Sequence, residues 1–241
     1  MMSNINKNTN VLQFKNSTDT ETDLYIYGDI VSSWWGAWDD TDQYPDKIRN
    51  MLANAKGKRI NLHINSGGGS VFAGIAIYNM LKHHDGEVIT YVDGIAASIA
   101  SVIAFAGSKI VMGTGSMMMV HKPLVNCVGG NANDLRKIAD ELDQIQNAIM
   151  EIYNERSTGS VDISTLVNNE TYLTASEVKE YFTNVDLGDL EAVACDSSYS
   201  KIPKQYNDAI AKKIASKAIA KAELELLKLK GEDVDYDIRN V

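Results

Sequence analysis

Residues 59–106 have the sequence RINLHINSGGGSVFAGIAIYNMLKHHDGEVITYVDGIAASIASVIAFA. Alternating apolar residues from Arg59 to Asn65 indicate a strand, and an apolar helical segment from Val71 to His84 follows a glycine-rich turn. The same order recurs at once, with a predicted strand from Glu87 to Val92 and an apolar helix from Ser98 to about Ala106. Strands that alternate with helices along a chain predict an α/β fold built on parallel strands.

Flanking segments extend this alternation. A strand is predicted from Asp23, and Pro45 begins a helix that runs to Ala55, because proline suits the first helical turn. Two short strands follow the central stretch, at Lys109 to Met112 and at Met117 to His121. Beyond them, a long helix is predicted from Asn133, as its N-cap, to Arg156. Its apolar residues share one stripe at helical spacing: Leu135, Ile138, Leu142, Ile145, Ile149 and Ile152.

The chain is expected to have three parts. Residues 1–22 are rich in Asn, Thr, Ser and Asp, which predicts a flexible polar arm. A folded α/β domain is expected over 23–194, and a capping box formed by Thr174 and Glu177 begins its last predicted helix. Residues 195–241 are expected to be a C-terminal helical extension, with apolar residues at helical spacing among Lys and Glu.

Composition excludes several classes of function. The chain has 23 basic and 32 acidic residues, so its net charge is −9, which argues against binding to nucleic-acid phosphates. Its two cysteines, Cys127 and Cys195, form no CxxC pair, so neither a disulfide framework nor a zinc site is expected. The most apolar window, 94–107, is shorter than the roughly 20 residues that cross a bilayer. A cytoplasmic protein without a membrane, nucleic-acid or metal partner is expected.

Two glycine-rich turns each follow a strand and precede a helix. The first, Asn65 to Ser70, has three glycines that expose backbone N–H groups and suit a phosphate or an oxyanion. It lacks the Gly-Lys-Ser/Thr of a P-loop and is not a GxGxxG fingerprint. The second turn, Asp93 to Ser98, places a serine among small residues at the start of a helix. Ser98 is therefore a candidate nucleophile, with an ordinary N-cap serine as the alternative.

A serine nucleophile needs a base, and the histidines differ in how well they suit that task. His121 ends a predicted strand just before Pro123, at the mouth of a sheet. His83 and His84 lie at a helix end, where capping or solvation is the simpler interpretation, and His63 lies inside a strand. The base needs an orienting acid in turn. Spacing alone leaves four candidates open: Asp134, Glu141, Asp143 and Glu170.

Four segments, taken in order, resemble the proteolytic subunit of the Clp proteases. They are INSGGGSVFAGIAIYNML (64–81), DGIAASIAS (93–101), MVHKPL (119–124) and ETYLTASEVKEYF (170–182). The likeness covers roughly Leu24 to Ala194. It implies a crotonase-like fold of repeated strand–helix units with a protruding helical handle. It also implies a serine endopeptidase that needs no cofactor.

The resemblance assigns a role to five residues. Ser98 corresponds to the nucleophile, His121 to the general base and Glu170 to the acid, two residues before an aromatic. The backbone N–H groups of Gly69 and Ile99 correspond to the oxyanion hole. This chain departs from the family pattern at three positions. Gly67 replaces a proline, Lys122 replaces a glutamine, and the acid is glutamate where the family has aspartate.

The resemblance further implies polypeptide substrates and a homo-oligomer, either a heptameric ring or a stacked double ring. A Clp-type ATPase is an expected partner. The Glu-Thr-aromatic variant and the appended C-terminus resemble the Clp-like proteases of phage and prophage head assembly, which implies capsid or scaffold proteins as substrates. Two alternatives remain from the sequence: a crotonase-type acyl-CoA enzyme, and an inert ring-forming assembly protein.

Overall fold

The computed structural model describes residues 17–33, 42–125 and 129–188. Most of the predicted polar arm and the whole predicted C-terminal extension lie outside the described residues. The expected domain boundaries at 23 and 194 therefore remain predictions.

The core of the fold is one mixed sheet. Five strands lie side by side in the order β1-β2-β3-β4-β7 and are parallel. A further strand, β5, pairs in parallel with the end of β3 and antiparallel with β6. The strands are β1 (Glu21–Tyr27), β2 (Arg59–Ser66), β3 (Val88–Ala97), β4 (Lys109–Gly113), β5 (Met117–Val120), β6 (Thr171–Thr174) and β7 (Val185–Gly188).

Six helices lie between these strands in the described residues. They are α1 (Pro45–Asn54), α2 (Val71–Lys82), α3 (Ile99–Ala104), α4 (Ala132–Glu155), α5 (Ile163–Asn168) and α6 (Ala175–Tyr181). The predicted α/β class with parallel strands is confirmed. None of the helices in the part of the chain described here has the length and apolarity needed to cross a bilayer.

Helix α3 lies at the centre of the core. Each of its residues is buried, and all except Ser101 are apolar, as expected of a core helix. Because α3 follows β3 with only Ser98 between them, the fold places this serine at the carboxyl end of a buried strand. Helix α4 is different: it is anchored by Ile149 and Tyr153, whereas Leu135 near its start is 44% exposed. The first half of α4 is therefore exposed, and the protruding handle stays a prediction.

Two local predictions are corrected by the structure. The N-cap of α4 is Asn131 and not Asn133, because the Asn131 side chain accepts from the N–H groups of Asn133 and Asp134. Asp134 returns a bond to the Asn131 N–H and completes a capping box. Strand β3 also extends to Ala97 rather than ending at Val92, since its last residues pair with β5.

Candidate active site

Ser98 and His121 meet because β3 and β5 are neighbours. Ala97 at the end of β3 is in register with Met119 of β5, and the Ser98 N–H donates to the Met119 carbonyl at 2.9 Å. His121 follows β5 directly, and its Nε2 lies 2.7 Å from the Ser98 Oγ. That distance is within the range required between a nucleophile and its general base.

Ser98 has a strained backbone that turns its side chain toward the histidine. Its φ of 56° and ψ of −131° lie in a region that residues with a side chain rarely adopt. Such a conformation costs about 1–3 kcal/mol and persists where surrounding bonds enforce it. The side chain makes no capping bond to α3. Ser98 therefore occupies the N-cap position of α3, but its hydroxyl contacts His121 and does not cap the helix.

The environment of His121 favours its neutral form. Burial lowers the pKa of His121 below its usual value, while the negative charge of Glu170 acts in the opposite direction and raises it. A neutral imidazole can accept the hydroxyl proton of Ser98 at Nε2, provided that its own proton is on Nδ1. The site can therefore activate the serine near neutral pH.

Glu170 lies beside His121 but is not bonded to it. Val120 pairs with Thr171 in the antiparallel ladder of β5 and β6, so the next residues outward are His121 and Glu170. Among the described residues, no hydrogen bond joins the exposed Glu170 carboxylate to the imidazole, and the two interact through charge. Glu170 has a φ of 49° just after α5, another strained position.

The other candidate acids are placed differently. Asp134 is used in the capping box of α4, and the exposed Glu141 lies 3.8 Å from Lys137 on the same helix. Asp143 is also exposed on α4. Glu170 is the carboxylate whose charge acts on the His121 pKa.

Two backbone N–H groups, those of Ile99 and Gly69, have no acceptor within the described ranges. Ile99 is the first residue of α3, so its N–H has no carbonyl one turn earlier to bond. Gly69 sits in a parallel bridge to Ile30, in which Ser70 donates to Ile30 and Ile30 donates to Gly68. The bridge leaves the Gly69 N–H unused. These are the two donors that the sequence analysis assigned to an oxyanion.

Gly68 is a residue of the site that sequence reasoning missed. It has a φ of +98°, and a Cβ built on it would lie 2.7 Å from the Ser98 Cβ and 3.2 Å from the Ile99 nitrogen. Only glycine lets the turn pack this closely against the serine. The run of three glycines signalled a special turn, but the contact with Ser98 depends on tertiary packing.

The remaining histidines of the described residues are structural. His63 is stacked between Tyr25 and Tyr91, with its Nδ1 3.0 Å from Asp93. His83 ends α2, where its Nδ1 lies 2.7 Å from a carbonyl of the same helix. Across the ranges that the structure describes, no three His, Cys, Asp or Glu side chains come together as metal ligands.

The fold and the Ser–His pair define a class, the serine hydrolases that act by acyl transfer. A family model described as Clp protease matches residues 39–182, which is more than half of the chain. The chain belongs to the Clp protease family. The predicted family, its ClpP-type fold and the enzyme class, a serine-type endopeptidase, are therefore confirmed.

Curated relatives carry the same description. A protein of Bigelowiella natans is 29% identical over 178 residues, which cover 70% of this chain and 91% of the relative. A protein of Bacteroides fragilis is 36% identical over 128 residues, covering 52% of this chain and 61% of the relative. One of Chlorella vulgaris is 33% identical over 166 residues, covering 64% and 79%. Each is named "ATP-dependent Clp protease proteolytic subunit".

Proposed function

We propose that this serine endopeptidase cleaves polypeptides with Ser98 as nucleophile, His121 as general base and Glu170 as the supporting acid. The observation that carries the proposal is the 2.7 Å distance between the Ser98 Oγ and the His121 Nε2. The strained Ser98 backbone and the lowered pKa of His121, caused mainly by burial, support it.

The reaction proceeds by acyl transfer. Ser98 Oγ attacks the scissile carbonyl carbon as its proton passes to His121 Nε2, and the carbonyl oxygen becomes an oxyanion. The N–H groups of Gly69 and Ile99 donate to that oxyanion. His121 then gives its proton to the leaving amine, and the acyl group remains on Ser98. Water attacks this ester with His121 again as base, which releases the acid and restores the serine.

Glu170 acts on this cycle through its charge. When His121 holds the proton of Ser98 it is an imidazolium, and a nearby carboxylate stabilises that cation. Glu170 raises the pKa of His121, which is the effect expected of a carboxylate that stabilises the imidazolium. Since the carboxylate is exposed and makes no bond to the ring, its contribution is smaller than that of a buried, hydrogen-bonded acid.

Assembly and partners are part of the same proposal. The chain forms a homo-oligomeric ring, either a heptamer or a stacked double ring, in which the serines line a chamber. The apolar stripe that α4 leaves partly exposed around Leu135 supports a contact between rings. The relatives' names support a Clp-type ATPase as partner and polypeptides as substrates. The Glu170-Thr171-Tyr172 variant and the extension at 195–241 support phage capsid or scaffold proteins as substrates, in the cytoplasm.

Cleavage of a short fluorogenic peptide tests the catalytic assignment. Purified protein should cleave the peptide, and Ser98→Ala should abolish cleavage while the oligomer seen by size-exclusion chromatography is unchanged. Ser108→Ala is the matched control, because this hydroxyl bonds the carbonyl of Val88 at the opposite end of β3. Retained cleavage by Ser98→Ala would remove Ser98 as nucleophile. A wild-type protein that assembles without cleaving would favour an inert assembly role.

A further inference from the structure

A chain of buried hydroxyl groups connects α4 to the carbonyl of the proposed nucleophile. The Tyr153 hydroxyl, near the end of α4, lies 2.7 Å from the Ser101 Oγ. The Ser101 Oγ in turn donates to the Ser98 carbonyl at 2.5 Å. Tyr153 is 1% exposed and Ser101 is fully buried, so water does not compete for these bonds.

The donor in each of these hydrogen bonds follows from counting the hydroxyl protons. A serine hydroxyl has one proton, and Ser101 uses it on the Ser98 carbonyl. The proton between Tyr153 and Ser101 must therefore come from Tyr153. Burial raises the pKa of the Tyr153 hydroxyl, which keeps it protonated as this direction requires. The sequence of donors is Tyr153, then Ser101, then the carbonyl of Ser98.

That carbonyl belongs to the same peptide group as the Ile99 N–H. A peptide group is planar and trans, so its carbonyl and its N–H point in opposite directions. Fixing the Ser98 carbonyl toward Ser101 therefore fixes the direction of the Ile99 N–H on the other side. Hydrogen bonds in a chain also polarise one another, which makes the N–H at the far end a better donor. The Ser101 N–H adds a second bond to the same carbonyl at 3.0 Å.

We infer that Tyr153 and Ser101 are positioning residues, which aim the Ile99 N–H at the developing oxyanion through the carbonyl of Ser98. This inference rests on the proposed function, because it assumes that an oxyanion forms beside Ser98. Neither residue touches the substrate. Their effect appears in the transition state, where the oxyanion exists, and not in the binding of the intact peptide.

The competing explanation is purely structural. A buried tyrosine hydroxyl needs a partner wherever it lies, and Ser101 supplies one. A control for that role is found on β3, in a residue that bonds the same helix as Ser101, α3. Thr90 is fully buried and donates to the carbonyl of Ala104 at 2.9 Å, so it also holds α3 through a buried hydroxyl. It bonds the far end of the helix, away from Ser98.

The test compares Tyr153→Phe, Ser101→Ala, their double variant and Thr90→Val in the purified full-length protein. Two readouts are measured: peptide cleavage, separated into kcat and KM, and the rate at which a fluorophosphonate labels the serine. We expect Tyr153→Phe to lower kcat and the labelling rate by about 5- to 20-fold, less than the roughly 10²–10³ lost when an oxyanion donor is removed. KM should change by less than about twofold. Thr90→Val should lower the melting temperature but leave both rates at the wild-type level.

The double variant makes the inference specific. If Tyr153 acts through Ser101, adding Tyr153→Phe to Ser101→Ala should cause no further loss of kcat or labelling rate. Ser101→Ala alone already removes the hydrogen bonds that connect Tyr153 to Ser98. A Tyr153→Phe variant with wild-type kcat and labelling rate would overturn the inference, as would losses that simply multiply. Should Tyr153→Phe fail to fold, wild-type rates in Ser101→Ala would overturn it equally. Labelling that persists in Ser98→Ala would instead refute the proposed function, so the two failures are distinguishable.

Discussion

His121 and Glu170 are adjacent positions at the ends of β5 and β6, yet in the described part of the chain no hydrogen bond joins their side chains. The carboxylate acts on the imidazole through charge alone. Burial lowers the pKa of His121, and the Glu170 charge partly offsets that effect by raising it. The two contributions can therefore be separated by removing the charge of Glu170.

Glu170→Gln should shift the pH profile to lower pH. Without the carboxylate the pKa of His121 falls further, so the acid limb of kcat/KM against pH moves toward lower values. The maximal rate should fall by about tenfold or less, because an exposed, unbonded charge stabilises the imidazolium only modestly. The measurement is peptide hydrolysis from pH 5 to 9, with Glu141→Gln on α4 as the control. An acid limb that stays in place would mean that Glu170 is not the acid.

Gly68→Ala should inactivate the enzyme. Alanine at a φ of +98° is strained, and its Cβ would lie 2.7 Å from the Ser98 Cβ, so the serine or the turn must move. A shift near 1 Å at a reacting group lowers the rate by about 10². Gly67→Ala is the matched control, since a Cβ at Gly67 has no neighbour within 4 Å. Equal activity of the two variants would show that Gly68 does not support the site.

The stability of the folded protein at acid pH should depend on the protonation of His121. A lowered pKa means that the folded state binds fewer protons than the unfolded chain, for which the usual value is 6.5. This contribution to stability is fully present above 6.5 and decreases as the pH falls through the folded pKa. His121→Gln should therefore lose less melting temperature than wild type between pH 7.5 and 5. If the melting temperatures of the two proteins fall by the same amount over this pH range, the pKa of His121 is not lowered.

Asn131→Ala should destabilise the start of α4. The Asn131 side chain accepts from two N–H groups of the first turn, and removing such a cap costs about 1 kcal/mol. Asn133→Ala should cost much less, since Asn133 lies inside the helix. Amide hydrogen exchange over 132–140 measures the difference. Faster exchange in Asn133→Ala than in Asn131→Ala would show that Asn133 is the N-cap.

The sequence predicted the features that depend on local pattern. The strands and helices around Ser98 have clear periodicity, and the turn before it is dense in small residues. Ser98 and His121 could therefore be chosen as a pair, although they are 23 residues apart. Their meeting depends on the pairing of β3 with β5, and that pairing also carries β3 past Val92 to Ala97.

Three short elements, β6, β7 and α5, were not predicted. Strands β6 and β7 have four residues each and α5 has six, and all three mix polar with apolar residues, so their periods are weak. Strand β5 and helix α3 are equally short, but they are almost wholly apolar and could be predicted. The N-cap of α4 was misplaced because Asn131 and Asn133 are equally good caps by composition, and only the hydrogen bonds distinguish them. The contact of Gly68 with Ser98 and the hydrogen bonds from Tyr153 through Ser101 to Ser98 join elements that are distant in sequence. The local sequence pattern does not reveal such contacts.

The most direct test of this account is the location of the covalent adduct. The assembled protein is treated with a fluorophosphonate, digested, and mapped by mass spectrometry across all of its serines. We predict one modified residue, Ser98, and loss of the adduct in His121→Ala, because the 2.7 Å contact supplies the base. An adduct on another serine, or undiminished labelling of Ser98 without His121, would contradict it.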